Sequence, residues 1–191
     1  MEERFIVITG GPGSGKSTLL DELERRGYAR TQEAGRGVIQ EQVATGGDAL
    51  PWGNRRKFAG KMLEWEMRSY EMAQRSEGPV LFDRGVVDVI GYLELIGEAV
   101  PEEMRRAAEE IRYHRRVLIA PPWEEIYAQD AERKQDFAEA VRTYEVMLSV
   151  YGRFGYALVE LPKASVNERV EFVEAFVQER DGGGGSSRSS W

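Results

Sequence analysis

The sequence predicts an α/β fold in which a parallel sheet is covered by helices on both faces. Three observations predict it. Short β-branched, apolar runs alternate along the chain with segments of helical spacing, the pattern of repeated strand–helix–strand units. Between the first run and the first helix stands Gly10-Gly11-Pro12-Gly13-Ser14-Gly15-Lys16-Ser17, of the form G-x-x-x-x-G-K-[ST]. The 191 residues, 41% of them hydrophobic, suffice for one domain with a sizeable core.

Arg4 to Thr9 is apolar and β-branched and reads as a strand buried on both faces. Ser17 to Arg26 follows as a helix with Leu19, Leu20 and Leu23 on one face, and Gly27 stands where a terminating glycine belongs. Tyr28 to Gln32 is expected as a short second strand. Gly35 to Thr45 is expected as a helix burying Val38, Ile39 and Val43. Thr45-Gly46-Gly47-Asp48 and Pro51-Trp52 have loop chemistry. From Asn54 to Arg75, Phe58, Met62, Trp65 and Met72 fall near helical spacing. Pro79 to Phe82 is a third strand ending in Asp83, and a helix is expected over Val86 to Ile96. Another helix opens at Pro101, where two acidic residues follow the proline and suit the helix dipole.

Arg116 to Ala120 reads as the fourth strand, stopped by Pro121-Pro122. A charged stretch from Trp123 to Gln135 leads into a helix whose stripe is Phe137, Val141, Tyr144, Leu148 and Tyr151. Ala157 to Glu160 is the fifth strand. The last helix opens on Ser165-Val166-Asn167-Glu168, a capping box, and runs on Val166, Val170, Val173 and Val177. Residues 1–180 are thus expected to form one domain, with the Gly/Ser-rich stretch 181–191 disordered and outside it. His114, the only histidine, lies in a basic run just before a strand and is read as a surface or boundary residue.

The formal net charge of −7 and pI near 5.0 oppose binding along a nucleic-acid backbone. A polyanion handled by this chain is therefore expected to be small and held in a local pocket. The absence of cysteine removes disulfides, Cys-ligated zinc and thiol catalysis. The first apolar run is too short for a signal-peptide core or a membrane span. A cytoplasmic protein without membrane or nucleic-acid partners is expected; its oligomeric state is left open.

Ligands in parallel sheets bind beyond the carboxyl ends of the strands. Gly10, Glu33, Asp83 and Ala120 each stand just past a predicted strand and are expected on one rim. The turn from Gly10 to Thr18 presents backbone N–H groups at a helix start, a cradle for the phosphates of ATP. In it Lys16 supplies a mobile cation, and the Ser17 hydroxyl is a ligand for Mg²⁺. Val80-Leu81-Phe82 delivers Asp83 at a strand end, where P-loop enzymes hold magnesium with an aspartate, often through water. Arg84 is placed to face the phosphates or the acceptor, or else to pair with Asp88. Trp52 and Trp123 are open to two readings, stacking or lining an acceptor pocket, or packing.

The P-loop together with Glu33-Ala34-Gly35-Arg36 and Asp83-Arg84-Gly85 resembles a small family of predicted ATPases within the AAA domain group. That family includes the ribosylnicotinamide kinase domain of bifunctional NAD-biosynthesis enzymes. More distantly the chain is similar to nucleoside and nucleoside-monophosphate kinases. The resemblance spans residues 4 to 180 and includes Ala120-Pro121-Pro122-Trp123, Glu132-Arg133-Lys134-Gln135-Asp136-Phe137 and Leu161-Pro162. It implies a three-layer sandwich with sheet order 2-3-1-4-5 and a lid. It also implies an acceptor site between the second strand, the following helix and the Asp83 segment. Glu33 then occupies the place of a carboxylate base and Arg36 and Asp88 border the acceptor, the other reading of Glu33 and Arg36 being a helix-start acid and a solvated arginine. Arg133 and Lys134 stand where lid cations meet the transferring phosphate, or else form a solvated face between Glu132 and Asp136.

Three functions fit these residues. A small-molecule kinase is favoured by the chain length, the two carboxylates and the candidate lid. An NTPase switch or motor has less support, since no Asn-Lys-x-Asp guanine signature and no separate helical lid domain follow the fifth strand. A module that senses ATP without turnover sits poorly with Lys16, Ser17 and Asp83 occurring together.

Overall fold

The computed structural model describes residues 2–127 and 136–182. Its five strands are β1 (Phe5–Gly10), β2 (Ala29–Arg30), β3 (Val80–Asp83), β4 (Arg116–Ala120) and β5 (Ala157–Glu160). They form one sheet of order β2-β3-β1-β4-β5, and every pairing in it is parallel. Seven helices connect and cover it: α1 (Lys16–Arg25), α2 (Ala34–Thr45), α3 (Arg55–Ala73), α4 (Val86–Leu95), α5 (Glu102–Glu110), α6 (Phe137–Arg153) and α7 (Val166–Gly182).

Strand side chains alternate between two apolar layers, which is why the central strands carry apolar residues on both faces. Phe5, Val7, Val80, Phe82, Val117 and Ile119 pack with α4, α6 and parts of α3 and α5. Ile6, Ile8, Leu81, Leu118 and Ala120 pack with α1 and α7 on the opposite face. A third cluster joins Ala34 and Val38 of α2 to Phe58, Ala59 and Met62 of α3 and to Val89 and Leu93 of α4. This side cluster fixes where α2 begins, and so where Glu33 stands.

Register sets the rim. Ile8 pairs with Asp83 and Gly10 with Ala120, so β1 overruns β3 by two residues, about 7 Å at strand rise. A Cβ on Gly10, whose φ is 133°, would stand 2.5 Å from the Ala120 carbonyl oxygen. Only glycine allows β4 to lie this close at the point where the chain turns into the P-loop.

Some sequence expectations shift. The second strand is two residues long; Thr31 still donates its N–H to the Leu81 carbonyl at 2.9 Å, and α2 opens three residues on. In α3 the inward face is Phe58, Ala59, Met62, Glu66 and Ala73, while Met72 is 67% exposed. In α6 the fully buried line is Ala140, Thr143, Met147, Val150 and Tyr151. Of the stripe expected there, Tyr151 is fully buried, while Phe137, Val141, Tyr144 and Leu148 lie on the half-buried flank; at the start of the helix a small residue faces the sheet, because the Ala140 backbone packs against Gly11. His114 is 4% exposed, donates its backbone N–H to Phe5 O at 2.8 Å and sets its ring edge-on to Phe176. It is a buried boundary residue, not a surface one. The capping box of α7 forms as expected, with Ser165 N and Oγ donating to Glu168 Oε2 at 2.9 and 2.7 Å.

Candidate functional site

The loop from Gly10 to Lys16 closes over its own lysine. Gly13 (φ 68°) and Gly15 (φ 75°) adopt left-handed conformations that L side chains rarely take, and Gly15 is the N-cap of α1. Lys16, 7% exposed, donates to the Gly10 carbonyl at 2.9 Å, the Gly11 carbonyl at 2.7 Å and Ser14 Oγ at 3.2 Å. Burial, then the Arg84 charge, lower its pKa to about 7, against the pull of Glu33, Asp83 and Asp88. Ser17 and Thr18 follow in the first turn of α1, Ser17 half-buried and Thr18 exposed. Pro12 and Gly13 form the outer turn of the cradle, and Tyr127 crosses Gly13, its ring 2.6 Å from where a Cβ would stand.

Asp83 ends β3 on the same rim and is 6% exposed. Burial, then the Glu33 carboxylate, raise its pKa. Its Oδ1 is buried with no hydrogen-bond partner. A hard anionic oxygen left unpaired in the interior is costly, and a divalent cation is a natural complement to it. Among the described residues no cluster of three or more His, Cys, Asp or Glu could hold a metal alone. Asp83 alone does not make a metal shell, and Ser17 stands in the first turn of α1 beyond the loop.

Arg84 follows with φ 73°, the only non-glycine residue among those described in the left-handed region. This strained turn is fixed from two sides. Its Nε donates to Glu33 Oε1 at 3.1 Å and its Nη1 lies 3.4 Å from Asp88 Oδ1. Burial alone would raise the Glu33 pKa, but Arg84 and Lys16 outweigh it and hold Glu33 below the usual carboxylate range. Glu33 is thus ionised and 27% exposed at the mouth of the cluster. Arg36, exposed one turn into α2, adds its field to Glu33.

Two expected acceptor contacts stand elsewhere. Asp88 is 5% exposed, and both its oxygens are engaged by the protein. Oδ1 accepts from Thr9 Oγ1 and faces Arg84, while Oδ2 accepts from Gly85 N at 2.9 Å and Tyr151 OH at 2.5 Å. Its work is to tie β1, α4 and α6 together beneath the site. Trp52 is 68% exposed in the turn between α2 and α3 and is not gathered into the cluster. Arg133 and Lys134, the expected lid cations, lie outside the described residues.

Sequence reasoning missed Glu66, which is 1% exposed in α3 with a buried, unpartnered Oε2. Burial, then repulsion from Asp88 and Asp83, push its pKa well above the carboxylate range. It occupies a core position one turn after Met62, and an acidic residue in an amphipathic helix gives no sign that it faces inward. A raised folded-state pKa means that the folded protein holds a proton the unfolded chain releases near pH 4.5. The associated cost to stability is absent below that pH and grows as pH rises toward the folded pKa. Glu66→Gln is therefore expected to melt higher than wild type at about pH 8, with the gap closing toward about pH 4. A thermal melt series across pH checks this; a variant less stable at the alkaline end would mean that the carboxylate is paired.

Among the described residues no helix is long and apolar enough to cross a membrane. A family model described as an AAA domain matches residues 5–169. No protein of curated function matches the chain. Among solved structures, a NadR protein in complex with NR superposes with TM-score 0.68 at 19% identity, over 99% of this chain and 54% of that one. Deoxyadenosine kinase from M. mycoides with bound dATP gives 0.56 at 14% identity, covering 91% and 99% of the two chains. Shikimate kinase from Acinetobacter baumannii with shikimate gives 0.54 at 13%, covering 92% and 93%. At these identities the likenesses establish the fold, and the chain spans about half the length of the NadR protein.

Proposed function

The chain belongs to this AAA domain family, and on that premise we propose that it is an ATP- and Mg²⁺-dependent phosphotransferase acting on a small, nucleoside-like metabolite. The γ-phosphoryl group moves to a hydroxyl or phosphate of that acceptor. The observation behind this reading is Glu33, a carboxylate held below the usual carboxylate range beside Arg84 and Lys16 on the rim of the P-loop. A phosphoryl-transfer site needs a cation at the phosphates, a metal anchor and a group to orient or deprotonate the nucleophile. On this reading Lys16, Asp83 and Glu33 fill these roles, with Arg84 paired to Glu33 at 3.1 Å. The named activities of two structural neighbours, on deoxyadenosine and on shikimate, support a small hydroxylated acceptor.

Gly10 to Thr18 would cradle the phosphates, and Asp83 with Ser17 would hold Mg²⁺, which supplies charge neutralisation to the phosphates when bound. Arg84 would face the transferring group and orient Glu33; Arg36 would meet the acceptor. Glu33 would accept the hydroxyl proton at its carboxylate.

Asp83→Asn keeps the shape of the strand end and removes the charge. Turnover is expected to fall and the magnesium requirement to shift to higher concentration, while stability holds or rises because a buried unpaired carboxylate is gone. Unchanged metal dependence and rate in a magnesium titration would make Asp83 a turn residue only. The function itself is tested by screening nucleosides and hydroxylated metabolites for acceptor-stimulated ADP release. At least one is expected to accelerate release above the basal rate; none doing so across a broad panel would contradict a kinase.

A further inference from the structure

We propose that Arg169 of α7 is a phosphate-binding residue for the nucleotide, reaching the P-loop from the sheet face opposite Glu33 and Arg84. The proposal rests on the reading of the P-loop as a nucleotide site and adds to it a residue outside the loop motif. Arg169 is 3% exposed, and its Nε is buried with no hydrogen-bond partner. Its side chain leaves the first turn of α7 and ends against Gly15, the N-cap of the P-loop helix. There Nη1 is 2.6 Å from the point where a Cβ on Gly15 would stand, with Ile126 Cδ1 at 3.1 Å from the same point.

Among the described residues three cations stand at the loop, and they differ in their partners. Lys16 has three oxygen acceptors within the loop. Arg84 has Glu33 and Asp88. Arg169 has a buried Nε without a hydrogen-bond partner, and burial, with no charged group beside it, is what lowers its pKa. An arginine stays protonated in a protein, and burial of an unpaired charge is strongly unfavourable. A fold that places such a charge at the N-cap of a helix is complementary to an anion there. The α1 and α7 layer lies across the sheet from the α2, α3 and α4 cluster that positions Glu33. The anion that meets Arg169 is therefore the phosphate chain of a nucleoside di- or triphosphate rather than the acceptor.

Hydrophobic spacing hides this residue. Arg169 stands beside Val170 in a helix that opens on an exposed capping box, where an arginine reads as solvated surface.

The test compares wild type with Arg169→Met by calorimetric titration with ATP, ADP and adenosine, together with the melting temperature of the unliganded proteins. Loss of one charge-assisted contact is expected to raise Kd for ATP and ADP by about 10- to 100-fold and to leave adenosine unchanged. The unliganded variant is expected to melt at or above wild type, since a buried unpaired charge is removed. Unchanged ATP and ADP affinity, or equal weakening toward adenosine, would overturn the assignment. So would a variant that melts lower with unaltered nucleotide binding, the mark of a packing role. Should Arg169→Met fail to fold, Arg169→Gln gives the same reading. A wild type that binds neither ATP nor ADP would remove the nucleotide site itself, an outcome distinct from a wild type that binds and a variant that binds as well.

Discussion

Lys16→Ala is expected to lose ATP turnover by at least about 10²-fold, the scale on which removal of one preorganised charge from a transition state acts. The side chain is buried in the loop, desolvated, and close enough to Glu33, Asp83 and Asp88 for their charges to act on it. Its present acceptors are the Gly10 and Gly11 carbonyls and Ser14 Oγ, all within the cradle, so a short swing of the ammonium suffices to meet a phosphate oxygen. ATP affinity should fall with the rate, because a point charge on the β- and γ-phosphates acts on the ground state as well. The fold should survive: the substitution removes a cation whose burial lowers its pKa, and the sheet beneath is held by Ile6, Ile8 and Leu118. A variant with a wild-type melting curve and wild-type turnover would refute the phosphate role.

Glu33→Gln is the second large effect. General-base catalysis contributes about 10² to 10⁴ in rate, and acceptor phosphorylation is expected to fall within that range. The amide oxygen can still accept from Arg84 Nε, so the strained turn at Arg84 keeps its anchor and the site keeps its shape. ATP binding should barely change, since Glu33 is N-cap of α2 and outside the P-loop. Basal hydrolysis should fall less than acceptor phosphorylation, because water need not occupy the acceptor position. Equal loss of both rates would move Glu33 from base to general electrostatic support. The Arg84 contact bears on this comparison: it holds Glu33 ionised, ready to accept a proton, and also lowers its basicity.

Much of this was legible in sequence because it is local. The P-loop spacing, the strand delivering Asp83 and the Ser165–Glu168 box are set by neighbours in the chain, and each stands where its residues placed it. The rim formed by Gly10, Asp83 and Ala120 followed from one topological rule and is realised in the β1 registers. What sequence could not supply depends on which way a helix turns. Asp88 and Glu66 are both acidic residues in helices, yet one is saturated beneath the site and the other buried beside it without a partner. In α6 the apolar stripe gave a face displaced from the true one, since the tight approach to Gly11 selects Ala140 over a larger neighbour. The exposure of Trp52 follows from a turn that carries it away from the sheet, which aromatic character alone does not reveal.

The most direct test follows the γ-phosphoryl group itself. ATP labelled at the γ-position is incubated with protein, magnesium and each acceptor that stimulates ADP release, and the label is partitioned between a phosphorylated acceptor and inorganic phosphate. The account predicts that most of the label appears in the acceptor as a phosphate ester or anhydride, and that Glu33→Gln shifts the partition toward inorganic phosphate. Label found only in inorganic phosphate, with every acceptor and in both proteins, would contradict phosphotransfer and leave an ATPase.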